Sequence, residues 1–410
     1  MATDSNTTAF NLVDPETYRY GHPFDVYDRI RAETPVYRNQ GTELQPPFWV
    51  LTRHADIRAV STDAENFSSL RGPIIPQDVQ LQTVPRVQEE FARFFIAMDD
   101  PEHKQYRNVV APAVTPKAIK KLEERISSQI DQLVEGLKGR DEVDFVSEVA
   151  AIVPIKTVAA VMGVPEEDEG KVLKFTNAVF GFGDPELTGS IEEANDNLLE
   201  VIAYGWDLAQ KRREDPQDDV MTMVAHATID GEPLNEVDQT AYFTNMISAG
   251  NETTRSSLAG AVYLLGKSPD QRQLLVDDPG MIKLSLDELL RRHTPGIHMA
   301  RTAKHDVEVG GQLIPAGERV ALLYGAGNHD PAVFEDPYRL DLQRPNARDH
   351  LAFGYGVHHC LGWRLGTLQL RLILTAFLKA FPNYEIAGEP TMIISNLVNA
   401  AKEMRVRLNG

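Results

Sequence analysis

One stretch limits the fold more than any other, because it reads as a single very long helix. Asn235 is placed to cap it, and nothing stops the helical pattern until Pro269, so it can run to about Gly266. At about 1.5 Å per residue such a helix is on the order of 45 Å long and must span the core. Its middle carries Ala249-Gly250-Asn251, and glycine and asparagine are poor helix formers. A local conflict of this kind, inside an element that should be regular, is expected at a functional site.

The remaining segments have to pack around that helix. Helical periodicity appears at Phe24, Tyr27 and Ile30, and again from Pro116 through Ile119, Leu122, Ile126, Ile130, Leu133 and Leu137. Further helical patterns cover Ile191–Arg213, with Ser190 and Glu193 as a capping box, then Ile282–Arg292 and Leu361–Phe381. Strand-like runs are few: Phe48–Leu51, Val307–Ile314 and Arg319–Leu323, the last two expected to form a hairpin through Pro315-Ala316-Gly317. The fold class is therefore mainly α with a minor β region. No repeat, low-complexity tract or linker interrupts the 410 residues, so residues 1–410 are expected to form one domain.

Composition narrows the function. With 42% apolar and 25% charged residues, the chain can bury a large core and a cofactor. Sixty acidic against 41 basic residues, a net charge of −19, argue against a nucleic-acid partner. No run reaches the roughly 18 apolar residues of a membrane span. The polar N-terminus lacks the basic-then-apolar order of a signal peptide, so the expectation is a soluble cytoplasmic protein. A single cysteine, Cys360, excludes internal disulfides, Cys₂ or Cys₄ zinc sites and cysteine-ligated iron–sulfur clusters.

That cysteine lies in Phe353-Gly354-Tyr355-Gly356-Val357-His358-His359-Cys360-Leu361-Gly362. The glycines let the chain wrap closely around a large or flat group, and a following helix would offer its amides to a thiolate. Such a sulfur, approached by N–H donors with an aromatic beside it, suits an iron ligand better than a nucleophile. Here the chain resembles the cytochrome P-450 family of haem-thiolate monooxygenases. Its signature F-G-x-G-x-H-x-C-x-G is met at every fixed position by Phe353, Gly354, Gly356, His358, Cys360 and Gly362.

The resemblance implies a haem b group (iron protoporphyrin IX) buried between the long central helix and the helix behind the cysteine loop. Cys360 would be the iron ligand, His358 a partner of a haem propionate, and Phe353 a modulator of the sulfur. Ala249-Gly250-Asn251-Glu252-Thr253-Thr254 is similar to the family's oxygen-activation segment. There Ala249 and Gly250 leave room for dioxygen, interrupted helical bonding can hold a water, Thr253 donates a hydrogen bond and Glu252 relays protons. Glu288 and Arg291 match the family's E-x-x-R, about 70 residues before the cysteine, with Arg339 as the third member of a buried structural cluster. E-x-x-R also occurs at Glu252–Arg255, among other places, so order and spacing decide which copy counts. His103 with Arg107, and Arg301, line up with the family's propionate cations.

By the same analogy the substrate pocket draws on Phe94, Phe95, Met98, Phe182, Asn245, Met246, Ser248, Ile297, His298 and Leu397. Its mostly apolar character favours a hydrophobic substrate, terpenoid-like or an alkyl or aryl hydrocarbon, with a sterol side chain as a further option. His298, Asn245 and Asn396 are placed to fix one polar group. No G-x-G-x-x-G follows a strand, so electrons are expected from a [2Fe-2S] or similar ferredoxin with its reductase. Lys104, Arg107, Lys117, Lys120, Lys121, Arg125 and Arg364 form the basic patch for it. The rival readings are a haem-thiolate gas sensor or electron carrier, and a peroxygenase.

Overall fold

The computed structural model describes residues 10–182 and 184–408. Its axis is the central helix, Glu236–Lys267, capped where expected by the Asn235 side chain, which accepts from Asp238 N–H at 2.8 Å. The helix runs without interruption through Ala249-Gly250-Asn251, so the expected break in its bonding is absent. Hydroxyls instead donate to carbonyls one turn back: Ser248 to Thr244 at 2.6 Å, Thr253 to Ala249 at 2.8 Å and Thr254 to Gly250 at 3.1 Å. Such back-bonding competes with the backbone ladder and loosens a helix without breaking it.

Two apolar cores flank this axis. Tyr242, Phe243 and Ile247 belong to the first, with Phe95, Met98, Val158, Phe175, Val201 and their neighbours. Leu258 to Leu265 belong to the second, with Ile119, Ile126, Leu286, Leu289, Phe377 and others from the helices Pro116–Leu137, Ile282–His293 and Trp363–Ala380. Residues 248–257 are almost entirely polar or small and lie at the seam. Over the first core sit two roof helices, Glu169–Phe180 and Ile191–Glu214, the second opening on the Ser190–Glu193 capping box. Gly205 is the point of closest crossing, since a Cβ there would stand 2.9 Å from the Phe243 ring. A short wall helix, Pro85–Ala92, reaches both the roof and the central helix.

The main sheet has five strands: β1 (Val36–Asn39), β2 (Phe48–Leu51), β3 (Phe67–Ser68), β4 (His298–Ala303) and β5 (Arg319–Leu323). Their order is β1-β2-β5-β4-β3, with only β5 and β2 parallel. The hairpin expected between Val307–Ile314 and Arg319–Leu323 does not form. Val307–Val309 turns back on Gln312–Ile314 through Gly310 and Gly311, both at positive φ, which frees β5 to pair with β4 and β2. Among the described residues no helix is long and apolar enough to cross a membrane.

Candidate active site

The cysteine loop is shaped by two glycines in left-handed conformation, Gly354 at φ +68° and Gly356 at φ +73°. A Cβ on Gly356 would fall 2.1 Å from the Ser61 carbonyl oxygen, so only glycine lets the loop pack there. Cys360 N–H donates to the Phe353 carbonyl at 2.8 Å and closes the loop, and the cysteine helix Trp363–Ala380 starts three residues on. Burial pushes the Cys360 thiol above its ordinary value; the Gly362 and Trp363 amides and the Arg107 charge act the other way. A cation at the sulfur would reverse that balance in favour of the thiolate.

Beside the loop four basic side chains converge. His103 and His358 have ring centroids 4.2 Å apart, and Arg107 Nη2 donates to the His359 carbonyl at 2.7 Å. Arg301 is buried, its guanidinium donating to its own neighbour's carbonyl, Ala300, at 2.8 Å, with Asp99 felt only through space. His358 is pushed down to about 2 by burial first, then by Arg301, His103 and Arg107. His103 meets Asp100 at 3.1 Å through Nδ1, while its buried Nε2 has no partner. So much uncompensated positive potential calls for an anion. Haem propionates are carboxylates, and this donor set fits them. Ser69, whose hydroxyl meets His358 Nε2 at 3.2 Å, belongs to the same cluster and was not foreseen.

On the opposite side, Ala249 and Gly250 are exposed at the midpoint of a helix whose flanks are buried. No neighbouring side chain covers this short stretch, although a Cβ on Gly250 would stand 3.1 Å from Val158. A Cβ on Gly366, in the first turn of the cysteine helix, would stand 3.8 Å from Thr254 Oγ1, so the two helices meet at this seam. Glu252 and Thr253 are consecutive but differently engaged. Thr253 is partly exposed, its hydroxyl on the Ala249 carbonyl. The Glu252 carboxylate is fully buried and gripped by Arg255 through Nε at 3.3 Å and Nη2 at 2.5 Å. The Glu252–Arg255 spacing is visible in the sequence, yet only packing reveals that this copy is sealed from water.

Glu288 and Arg291 form the buried pair expected, at 2.7 and 2.9 Å, and Arg291 also caps the carbonyls of Asn328 and Pro337. The third member is not Arg339. That side chain is exposed and pairs with Asp341 at 3.0 Å, whereas buried Arg344 reaches both Glu288 oxygens at 3.1 and 3.2 Å. A turn at Asp336 (φ +44°), with Arg339 N–H on its carbonyl, aims Arg339 outward. The backbone then returns so that Asp341 N–H also meets Glu288.

The residues expected around the substrate fall in different packing clusters, which suits the lining of a space between them. Phe95 and Met98 are buried in the first core with Met246 against it. Phe182 joins Val87, Ala178 and Leu198, and Ile297 packs in the cluster under the sheet. Phe94 is buried; Asn245 and Leu397 are half-buried, and Ser248 spends its hydroxyl on Thr244. His298 is not available to a substrate polar group. Its Nε2 accepts from Ile75 N–H at 2.9 Å, its Nδ1 donates to the Asn396 carbonyl at 2.9 Å, and burial pushes it down to about 4. With Asn396 Nδ2 on the Ile75 carbonyl at 3.1 Å, it is a neutral strut joining three segments.

Residues 281–406 match the family model described as Cytochrome P450. Linalool 8-monooxygenase of Pseudomonas putida is 34% identical over 97% of this chain and 98% of its own length. A steroid C26-monooxygenase of Rhodococcus jostii is 32% identical over 97% of this chain and 84% of its own. Among solved structures, CYP108D1 of Novosphingobium aromaticivorans superimposes with a TM-score of 0.87 at 33% identity, covering 97% of this chain and 96% of its own. A Mycobacterium marinum cytochrome P450 in complex with pseudoionone gives 0.87 at 34% identity, covering 93% and 94%.

Proposed function

Because this chain belongs to the cytochrome P450 family of haem-dependent monooxygenases, we propose that it hydroxylates a small or medium hydrophobic substrate with O₂ and electrons from an external ferredoxin. The observation that carries the reading is the convergence of His103, Arg107, Arg301 and His358 beside the Cys360 loop, with an exposed Ala249–Gly250 stretch in the middle of the otherwise buried central helix. Relatives named for linalool and for steroids support a hydrophobic substrate. A thiolate-ligated haem, when bound, supplies reductive activation of O₂ for insertion of one oxygen atom into a C–H bond.

The protein's own residues do the rest. Cys360 would hold the iron, with the Gly362 and Trp363 amides and Arg107 stabilising charge on its sulfur. Arg107, Arg301, His103 and His358 would hold the propionates. Thr253 would turn its hydroxyl from the Ala249 carbonyl toward bound oxygen substrate to deliver a proton. Glu252 restores that proton, which requires its carboxylate to leave Arg255. The two cores exclude water from the apolar substrate.

For the electron donor, Lys104, Lys117, Lys120, Lys121, Arg125 and Arg364 are exposed near the cysteine-loop face. Lys121 is engaged loosely with Asp218 at 3.3 Å, both well exposed, so it remains open to competition. Such a patch suits an acidic iron–sulfur protein, and its effect on association should fade with added salt.

The test is the CO-bound spectrum of the reduced protein together with turnover. The expected result is a thiolate-type band, abolished in Cys360→His, and oxygenated product from terpenoid or alkylbenzene substrates with NADH, a ferredoxin and its reductase. A thiolate band with no product from any bound ligand would indicate a sensor. Product with peroxide but none with electron donors would indicate a peroxygenase.

A further inference from the structure

Glu90, on the wall helix, is completely buried. Its Oε1 accepts from Thr244 Oγ1 at 3.0 Å; its Oε2 accepts from Thr240 Oγ1 and from Arg86 Nη1, both at 2.8 Å. Burial pushes this carboxyl above its ordinary value, and only those donors oppose it. Just beyond the helix, Arg93 Nε donates to Asp238 Oδ1 at 2.6 Å, and Tyr106 joins the two, accepting from Arg93 and donating to Asp238. A buried ionic cluster is rarely the most stable way to join two helices, since well-packed apolar side chains often do as well or better. What the cluster adds is register: Thr240 and Thr244, one turn apart on the central helix, both reach the Glu90 carboxylate in only one placement of the wall helix, while Arg86 of the wall helix itself balances the charge.

That register matters because of what adjoins it. The wall helix leads into Phe94 and Phe95, and Phe91 and Phe94 pack edge-to-face at 5.1 Å. Thr244 directly precedes Asn245 and Met246. On its other side the wall helix carries buried Val87 into the roof cluster with Ala178, Phe182 and Leu198, and Val84 N–H donates to Asn195 Oδ1 of the second roof helix at 2.9 Å. We infer that Glu90 is a specificity-determining positioning residue, whose carboxylate clamps the wall helix to the central helix and thereby fixes one wall of the substrate pocket. This rests on the pocket proposed above.

The experiment uses the haem-loaded protein with Glu90→Gln and with Glu90→Gln combined with Arg86→Met. Hydrogen exchange of amides 86–95 is measured beside dissociation constants, from substrate-induced spin-state shifts, for a panel of terpenoids and alkylbenzenes. Losing a charge-assisted hydrogen bond should speed exchange across that segment by about tenfold and narrow the spread of dissociation constants about tenfold in Glu90→Gln. The double variant keeps the amide on both threonines and leaves no unpaired cation, so it should restore most of both. Faster exchange with an unchanged spread, or an unchanged spread and exchange, overturns the proposal. If Glu90→Gln fails to fold, Thr244→Val, which removes one of the two inter-helix donors to the Glu90 carboxylate, decides by the same two readings: faster exchange with a narrowed spread supports the clamp, and unchanged values overturn it. Met246→Ala separates the two readings. If it too leaves every dissociation constant unchanged, the pocket itself is misplaced; if it alone shifts them, only the role of Glu90 fails.

Discussion

The Thr253 hydroxyl already has an acceptor, the Ala249 carbonyl, so delivering a proton means exchanging one partner for another rather than creating one. Thr253→Ala is expected to divert electrons into hydrogen peroxide, read as peroxide formed per NADH consumed, while Thr253→Ser keeps product formation. Glu252 is bound more tightly, and the two residues therefore fail differently. Arg255→Met strands a buried carboxylate and should cost about 3–5 kcal/mol in urea unfolding of the holoprotein, most of it recovered when Glu252→Gln is added. At this scale the sequence was readable where a fixed helical spacing alone sets the contact, as at the buried Glu288–Arg291 pair. It failed where a partner is chosen by the path of the backbone. Arg339 and Arg344 are both arginines at plausible distances, and only the turn at Asp336 decides which one points inward. His298 looked free for the same reason, because its two acceptor and donor partners, near residues 75 and 396, are distant in sequence.

At the scale of elements, caps and turns carried most of the legible information. Asn235 and the Ser190–Glu193 box each mark a helix start that the structure keeps. The hairpin error has a simple cause: Pro315-Ala316-Gly317 and Gly310-Gly311 are both credible turns, and strand β5 gains more by pairing within the larger sheet. The cysteine loop offers a clean test of backbone demand. Gly356→Ala adds a methyl group at φ +73° directly against the Ser61 carbonyl. A strained residue of that kind costs on the order of 1–3 kcal/mol before the clash is counted. The expected outcome is a protein that folds but retains little haem, measured as haem per chain, whereas alanine at Gly136, exposed on the helix Pro116–Leu137 with no atom within 4 Å, should load normally.

Taken whole, the molecule holds several histidines neutral in its interior. Burial pushes His22 down to about 4, His293 to about 3 and His298 to about 4, from an ordinary 6.5. Above pH 6.5 neither folded nor unfolded chain protonates them and stability is at its plateau. As the pH falls from 6.5 toward 4 the unfolded chain takes up protons that the folded one refuses, so stability declines, by up to about 1.4 kcal/mol per pH unit for each histidine. Unfolding midpoints measured from pH 7.5 to 5 should fall accordingly, and His293→Asn should shallow the slope by about one proton. None of this was legible beforehand, since burial of a histidine is a property of the packed whole.

The division of the apolar interior into two cores has a consequence for how such a protein changes over generations. Substitutions in the first core, among Phe95, Met98 and Met246, would alter the proposed substrate space, while of the apolar residues flanking Cys360 only Leu361 touches that core and Phe353 and Leu365 pack against the second. New substrate preferences would therefore accumulate on one side of the central helix with little effect on the chemistry, provided the first-core residues that touch Leu361 are kept. The chain is built to keep its reaction and trade its clientele.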